Sequence, residues 1–451
     1  MNYIKVDIAR AGAWCSLRRM KTSALFLLAA ACAAVAAAGP AAKPAARDYR
    51  AQALRLQKHA IVVDTHEDVP ERLEREWADV GQRLSTGHVD IPRLKAGGVT
   101  APFFAAYVPA AFAREGGSAR KALELIDLIH RIVESHPADL VFADSPAAVR
   151  RAKRAGKIAV AIGIEGGHAI EDSLGALGSF YRLGARYVTL THTNTNAWAD
   201  SSGSFWSVDF DPKKVAVHDG LTDFGREVVL EMNRIGMLVD VSHVSEATLS
   251  DVLETSRAPV FASHSSCRAL SDIPRNLTDD QIRAIAKKGG VVMVNVSSMF
   301  VDQRSVDDWV AKRAALAPQI AALRDQYASD PKKRDAEIDK LLDGIKVARA
   351  SYRTVADHID RVIKLGGREA AGLGTDFDGI TDPPDGLEDV SKLTALTEEL
   401  LRRGHSPRVV RGVLGENFLA FWERAEKAKG QVPARPERFP FTKPGMPDRL
   451  P

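Results

Sequence analysis

Residues 61–70 read IVVDTHEDVP. Three apolar residues run into Asp64, His66, Glu67 and Asp68 with no glycine or proline to end the run first. A short, continuously apolar run suits a strand buried on both faces, as in parallel sheets covered by helices. A core strand has no need of acids and an imidazole at its end, whereas a strand that opens onto a site does. The reading therefore depends on whether other strands end in the same way.

Seven more apolar runs follow. After AIVVDTH (60–66) come GVTAPFFAAYV (98–108), KIAVAIGIEGG (157–167), RYVTLTH (186–192), MLVDVSH (237–243), PVFASHS (259–265), GVVMVNV (290–296) and AAGLGTDFDG (370–379). Helical patterns separate most of them, over 119–135, 222–235, 245–256, 278–288 and 352–365, with Thr222, Ser245 and Thr278 as capping residues. Eight such strands predict an α/β fold, a (β/α)8 barrel of the TIM type, rather than a doubly wound sheet. No GxGxxG follows the first strand, which removes the main cue for a dinucleotide fold. Residues 301–350 are charged, rich in Ala and Leu, and helical in pattern. They form an insertion before the last strand, read as a solvated helical pair rather than a lid.

The N-terminus stands apart from this pattern. Arg18, Arg19 and Lys21 precede an apolar stretch (24–38) that ends in small residues, the order of a secretory signal. Met20 is the expected start of that signal, and cleavage is expected before Gly39. Cys32 has Ala29 three residues before it, where a lipoprotein signal carries an aliphatic residue, so lipid anchoring is not expected. The expected organisation is a signal peptide (1–38), a Pro/Ala-rich spacer (39–47) and one barrel domain (48–451). The protein would be secreted or periplasmic, without stable membrane insertion. The formal charge of +4 lies wholly in residues 1–38, where five basic residues face one acid. The balanced remainder gives no reason to expect a nucleic-acid partner. Only Cys267 lies beyond the signal, so no internal disulfide is expected.

The strand ends carry the chemistry. The first gives His66 and Asp68, the third Glu165, the fourth His192, the fifth His243, the sixth His264, and the eighth Asp376 and Asp378. In a parallel barrel these ends converge on one face, where active sites sit. His66 and Asp68, two residues apart, point the same way in extended backbone, and Glu67 points away. Taken singly, each histidine fits a hydrogen-bonded core residue and each acid a turn cap; their convergence favours ligation. Imidazoles and carboxylates without a thiolate suit Zn²⁺ or a similar ion. Five ligands (His66, Asp68, Glu165, His243, His264) exceed one open tetrahedral site. They fit two metals about 3.5–4 Å apart if a carboxylate bridges, and Glu165, on a strand between the two groups, is the best bridge.

These motifs resemble the membrane (renal) dipeptidases, the zinc dipeptidase family M19 of the amidohydrolase superfamily. The resemblance rests on DTHED, HVDIPRLKAGGVTAPFFAAYVP, GIEGG, YVTLTHTNTNAWADS, GLTDFGREVVLEMNRIGMLVDVSHVS, RAPVFASHSS and GLGTDFDG, in order along the barrel. It implies two Zn²⁺ per chain, one held by His66, Asp68 and Glu165, the other by Glu165, His243 and His264. It implies that His192 contacts the reacting carbonyl, Arg275 binds the substrate carboxylate, and Asp376 handles protons. A homodimer is expected by resemblance alone. The expected reaction is hydrolysis of dipeptides with a free C-terminal carboxylate, extending to a D-residue at the second position. Water shared by two zinc ions loses its proton near neutral pH and serves as nucleophile. The competing readings are a deacylase or lactonase on the same site, and a non-catalytic binding protein. The chain departs from the family at Glu67, read as a supporting or surface residue, at the long insertion, and at Phe300, where an aromatic hydroxyl would otherwise line the pocket.

Overall fold

The computed structural model describes residues 48–431. The expected signal, the spacer and the Pro-rich C-terminal end lie outside them. Nine strands form: β1 (Val63–Glu67), β2 (Ala101–Tyr107), β3 (Leu140–Phe142), β4 (Ile158–Glu165), β5 (Ala185–Thr189), β6 (Leu238–Asp240), β7 (Phe261–Ala262), β8 (Val291–Val294) and β9 (Ala371–Leu373). Eight pair in parallel in the order β1-β2-β4-β5-β6-β7-β8-β9. Just beyond β9, Glu67 bridges Phe377 in parallel, and Asp376 N donates to His66 O (3.0 Å). The result is the expected (β/α)8 barrel, nearly closed at the seam between first and last strands. The strand unforeseen from the sequence is β3, which pairs with β4 outside this ring. Its apolar run, LVF, is too short to stand out from the loop around it.

Period-2 alternation splits each strand between two cores. Ala159, Ala161, Tyr187, Leu238, Phe261 and Met293 pack in one cluster, while Val160, Ile162, Val188, Val239, Val292 and Val294 pack in the other with the surrounding helices. The first cluster includes Phe418, Phe421 and Trp422 of the helix Asn417–Lys427. Phe418 meets Phe103 edge-on at 5.3 Å. Large rings thus fill the ring of strands, leaving the strand ends to carry polar groups.

The predicted caps form: Thr222 accepts from Gly225 N, Ser245 from Thr248 N, and Thr278 makes a reciprocal capping box with Gln281. The insertion has three helices rather than a pair, Gln303–Ala315, Ala317–Gln326 and Pro331–Asp343. Only the first carries a substantial apolar face, with Val306 and Trp309 buried; the others bury one residue each.

Candidate metal and active site

The parallel register brings the strand ends together. His66 Nε2 lies 3.5 Å from Asp68 Oδ2 and 3.4 Å from Glu165 Oε2. The other oxygen, Glu165 Oε1, lies 3.1 Å from His243 Nε2 and 3.3 Å from His264 Nε2, and those two nitrogens are 3.0 Å apart. Glu165 therefore sits between two donor trios and offers one oxygen to each. Donors around a tetrahedral zinc are about 3.3 Å apart, given Zn–N near 2.0 Å, and these five separations of 3.0–3.5 Å match that edge length.

The groups are deeply buried, His66 completely. His66 Nε2 and Asp68 Oδ1 have no hydrogen-bond partner. Buried polar atoms without partners are costly, so this site fits a bound divalent cation. The electrostatics agree. Burial depresses the His66 imidazole, yet Glu165 and Asp68 overcome it and hold the group up at about 10. Burial holds His243 and His264 well below the usual imidazole range, so both keep lone pairs. Burial raises the Glu165 carboxyl, but His66, His192 and the bonded imidazoles outweigh it and keep it ionised.

Supporting residues set two of the tautomers. The Tyr187 hydroxyl donates to Thr65 O (3.0 Å) and lies 2.8 Å from His66 Nδ1. It has one proton and a carbonyl only accepts, so His66 must donate from Nδ1, which makes Nε2 the nitrogen that gives up its proton when a cation binds. The same logic holds for His264. Ser263 Oγ donates to Asp240 Oδ2 (2.6 Å) and sits 2.7 Å from His264 Nδ1. Asp240 is anchored by Ser242 N, Ser263 N and Thr189 Oγ1. His243 is held by its carbonyl, which accepts from Ser202 N and Thr191 Oγ1. His243 and Asp376 adopt left-handed backbone (φ 67° and 64°), a strained conformation that clusters at functional sites.

The remaining site residues ring these trios. One donor atom each from Asp376, His66 and His264 lies within 4.8 Å of the others, as does one each from His192, Glu165 and His243. Asp376 Oδ2 accepts from Asn295 Nδ2 (2.7 Å). Burial holds His192 down at about 4, so its imidazole is neutral. Arg275 is buried and bonded to Ser265 Oγ (2.6 Å) and His264 O (2.8 Å), with Nε unpartnered. Among the described residues no carboxylate comes within ion-pair distance of it. Arg275 is thus a buried cation lacking its anion.

Three strand-end acids lie elsewhere. Asp64 binds Thr375 N (2.8 Å) and Thr375 Oγ1 (2.5 Å), fastening β1 to the chain past β9. Asp378 does not join the pocket; Arg72 Nε holds it at 2.8 Å and His88 N bonds its other oxygen, because a left-handed turn carries it away. Glu67 is wholly buried, which corrects its reading as a surface residue. Burial, then Asp64 and Asp378, push its carboxyl well up. Sequence reasoning missed Tyr107, Tyr187, Asp240, Ser263 and Asn295. Tyr107 pairs in register with Glu165, and its ring lies 4.6 Å from His192. Asp240 and Ser263 carried a signal: polar residues inside apolar strands must find partners.

Fold and donor set define the class, a (β/α)8 barrel whose strand ends gather imidazoles and carboxylates that fit a metal ion. Residues 50–436 match the family model of the membrane dipeptidases, peptidase family M19, and the chain belongs to that family of hydrolytic dipeptidases. Solved structures agree. The probable dipeptidase PvdM from Pseudomonas aeruginosa aligns over 86% of this chain and 100% of its own, with 26% identity and a TM-score of 0.73. A metallopeptidase named dipeptidase AC aligns over 81% and 99%, with 27% identity and a TM-score of 0.66. A metallopeptidase from Rhodobacter sphaeroides, bound to a phosphinate mimic of L-Ala-D-Ala, aligns over 81% and 99%, with 26% identity and a TM-score of 0.65.

Proposed function

We propose that this chain hydrolyses dipeptides with two zinc ions, one held by His66, Asp68 and Glu165, the other by Glu165, His243 and His264. The observation that carries this reading is the division of the Glu165 oxygens between two trios. Zinc bound there supplies Lewis acidity and a water acidified toward neutral pH. The protein's own groups do the rest. Asp376 takes the proton of the attacking water and returns it to the leaving amine. Neutral His192 donates a hydrogen bond to the oxygen of the scissile carbonyl as it gains charge. Arg275 receives the substrate carboxylate, which supplies the missing anion and an acceptor for Nε. The Rhodobacter relative's bound mimic supports a D-residue at the second position. Export follows from the signal-like N-terminus, and among the described residues no helix is long and apolar enough to cross a membrane.

The test is a substrate panel with metal quantification on the same sample. L-Ala-D-Ala and L-Ala-L-Ala should be cleaved faster than N-acyl amino acids or lactones. About two zinc ions per chain are expected, and chelation should abolish turnover. Metal-free protein that stays fully active would refute the mechanism.

A further inference from the structure

We infer that Phe205 and Trp206, seated on Phe300, form an apolar subsite for the side chain of the substrate's C-terminal residue, and that the enzyme prefers a bulky apolar residue there. This rests on the proposed placement of the substrate carboxylate on Arg275. A carboxylate and its side chain leave the same carbon, so a wall beside the carboxylate's clamp lies within reach of the side chain. The Arg275 guanidinium lies 5.6 Å from the centre of the Phe300 ring. Trp206 stacks on Phe300 at 6.3 Å and 23°, and Phe205 meets Trp206 edge-on at 5.0 Å. The loop bearing these rings is tied to the site, since Ser202 N donates to His243 O (2.8 Å) and Ser201 Oγ bonds His192 O.

The cluster is apolar throughout, completed by Ile273, Met299 and Val306. Phe300 is buried, whereas Phe205 and Trp206 are only partly buried. That is the pattern of a wall with one free face. The insertion's first helix props this wall from behind. Its Trp309 lies 6.2 Å from Phe205, and Arg313 covers Trp309 (4.6 Å) while donating to Ser207 O (3.2 Å). The insertion thus acts on specificity, through the loop it supports.

The experiment compares kcat/KM for Ala-Gly, Ala-Leu and Ala-Phe, with both hands of the second residue, in the zinc-loaded full chain. Burying a leucine or phenylalanine side chain is worth roughly tenfold or more in affinity. Ala-Leu and Ala-Phe should therefore exceed Ala-Gly by about tenfold. In Phe205→Ala/Trp206→Ala that ratio should fall close to one. Should the double variant not fold by circular dichroism, Trp206→Gln carries the same comparison. A wild type that cleaves Ala-Gly as well as Ala-Phe, or a variant that keeps the wild-type ratio, overturns the subsite. Failure to cleave any dipeptide would instead overturn the dipeptidase reading beneath it.

Discussion

Replacing Tyr187 with phenylalanine tests the site at its foundation. The ring is wholly buried and packs between Phe103 (5.6 Å) and Phe261 (5.5 Å), so Tyr187→Phe keeps the core filled. It removes only the hydroxyl that binds Thr65 O and His66 Nδ1. The variant leaves one buried carbonyl and one buried imidazole N–H without partners. Each such orphan costs about 1–3 kcal/mol, so metal-free Tyr187→Phe should lose about 2–6 kcal/mol in urea unfolding. The hydroxyl also fixes Nδ1 as the protonated nitrogen, so that Nε2, beside Asp68 and Glu165, is the one left for a cation shared with them. Loss of a partner of this kind typically weakens metal binding about 10–100-fold. The loss should fall on one trio, because His264 draws its tautomer from Ser263 and Asp240 instead. Titration with a chelator should therefore strip one zinc early from the variant and leave the second near its wild-type affinity. Wild-type retention of both ions would refute the argument that Tyr187 sets His66.

The mirror variant, Ser263→Ala, should weaken the ion at the His243–His264 trio by a similar factor of about 10–100, read by the same titration. Asp376→Asn should keep its metal content and lower kcat by about 10²–10⁴-fold; unchanged turnover would remove Asp376 from proton transfer. Gly163→Ala would place its Cβ 1.9 Å from Tyr187 Cζ, so the tyrosine must move, at a cost of about 1–3 kcal/mol; an unchanged Tm would contradict that packing. The last concerns pH. His358 is buried, its Nδ1 accepting from Cys267 N (2.9 Å) and its Nε2 donating to Val301 O (2.9 Å), and burial lowers it from 6.5 to about 4. The unfolded chain then binds the extra proton first, so this contribution is complete above pH 6.5 and is lost as pH falls toward 4. Between pH 7 and pH 5 it amounts to about 2 kcal/mol, and an equal pH dependence in His358→Asn would refute the assignment.

The barrel was legible because its signal is local. Each run such as AIVVDTH or MLVDVSH declares itself within a few residues, and eight of them in alternation with helices leave few topologies. The strand β3 escaped because it completes no turn of the ring and borrows its partner from β4. The alternation rule separated Glu67 from His66 and Asp68, yet said nothing of what lies over the outward face. There Arg72 of the helix Val69–Arg75 and the backbone of His88 hold Asp378, whose charge reaches the buried Glu67. Burial of an outward residue depends on elements distant in sequence, which periodicity does not register. Asp378 failed for a related reason. Spacing of two implies a shared direction only in extended backbone, and both Asp376 and Asp378 are left-handed.

The ligands and their supports differ in kind. A proposed ligand ends a strand, so its position in the chain already implies its position in space. A support such as Tyr187 lies inside a strand and matters through a neighbour 121 residues away; the stagger between β1 and β5 decides that pairing. Yet the ligands alone do not specify ligation, because an imidazole with its proton on Nε2 would point a hydrogen at the cation. The barrel resolves this by placing a hydroxyl under each of two histidines, and giving each hydroxyl a stronger acceptor to spend its proton on: Thr65 O for Tyr187, Asp240 for Ser263. A phenol and a serine, on different strands and with different acceptors, arrive at the same tautomer. The choice of proton position, rather than the count of histidines, is what fits this polar barrel mouth to the two cations proposed for it.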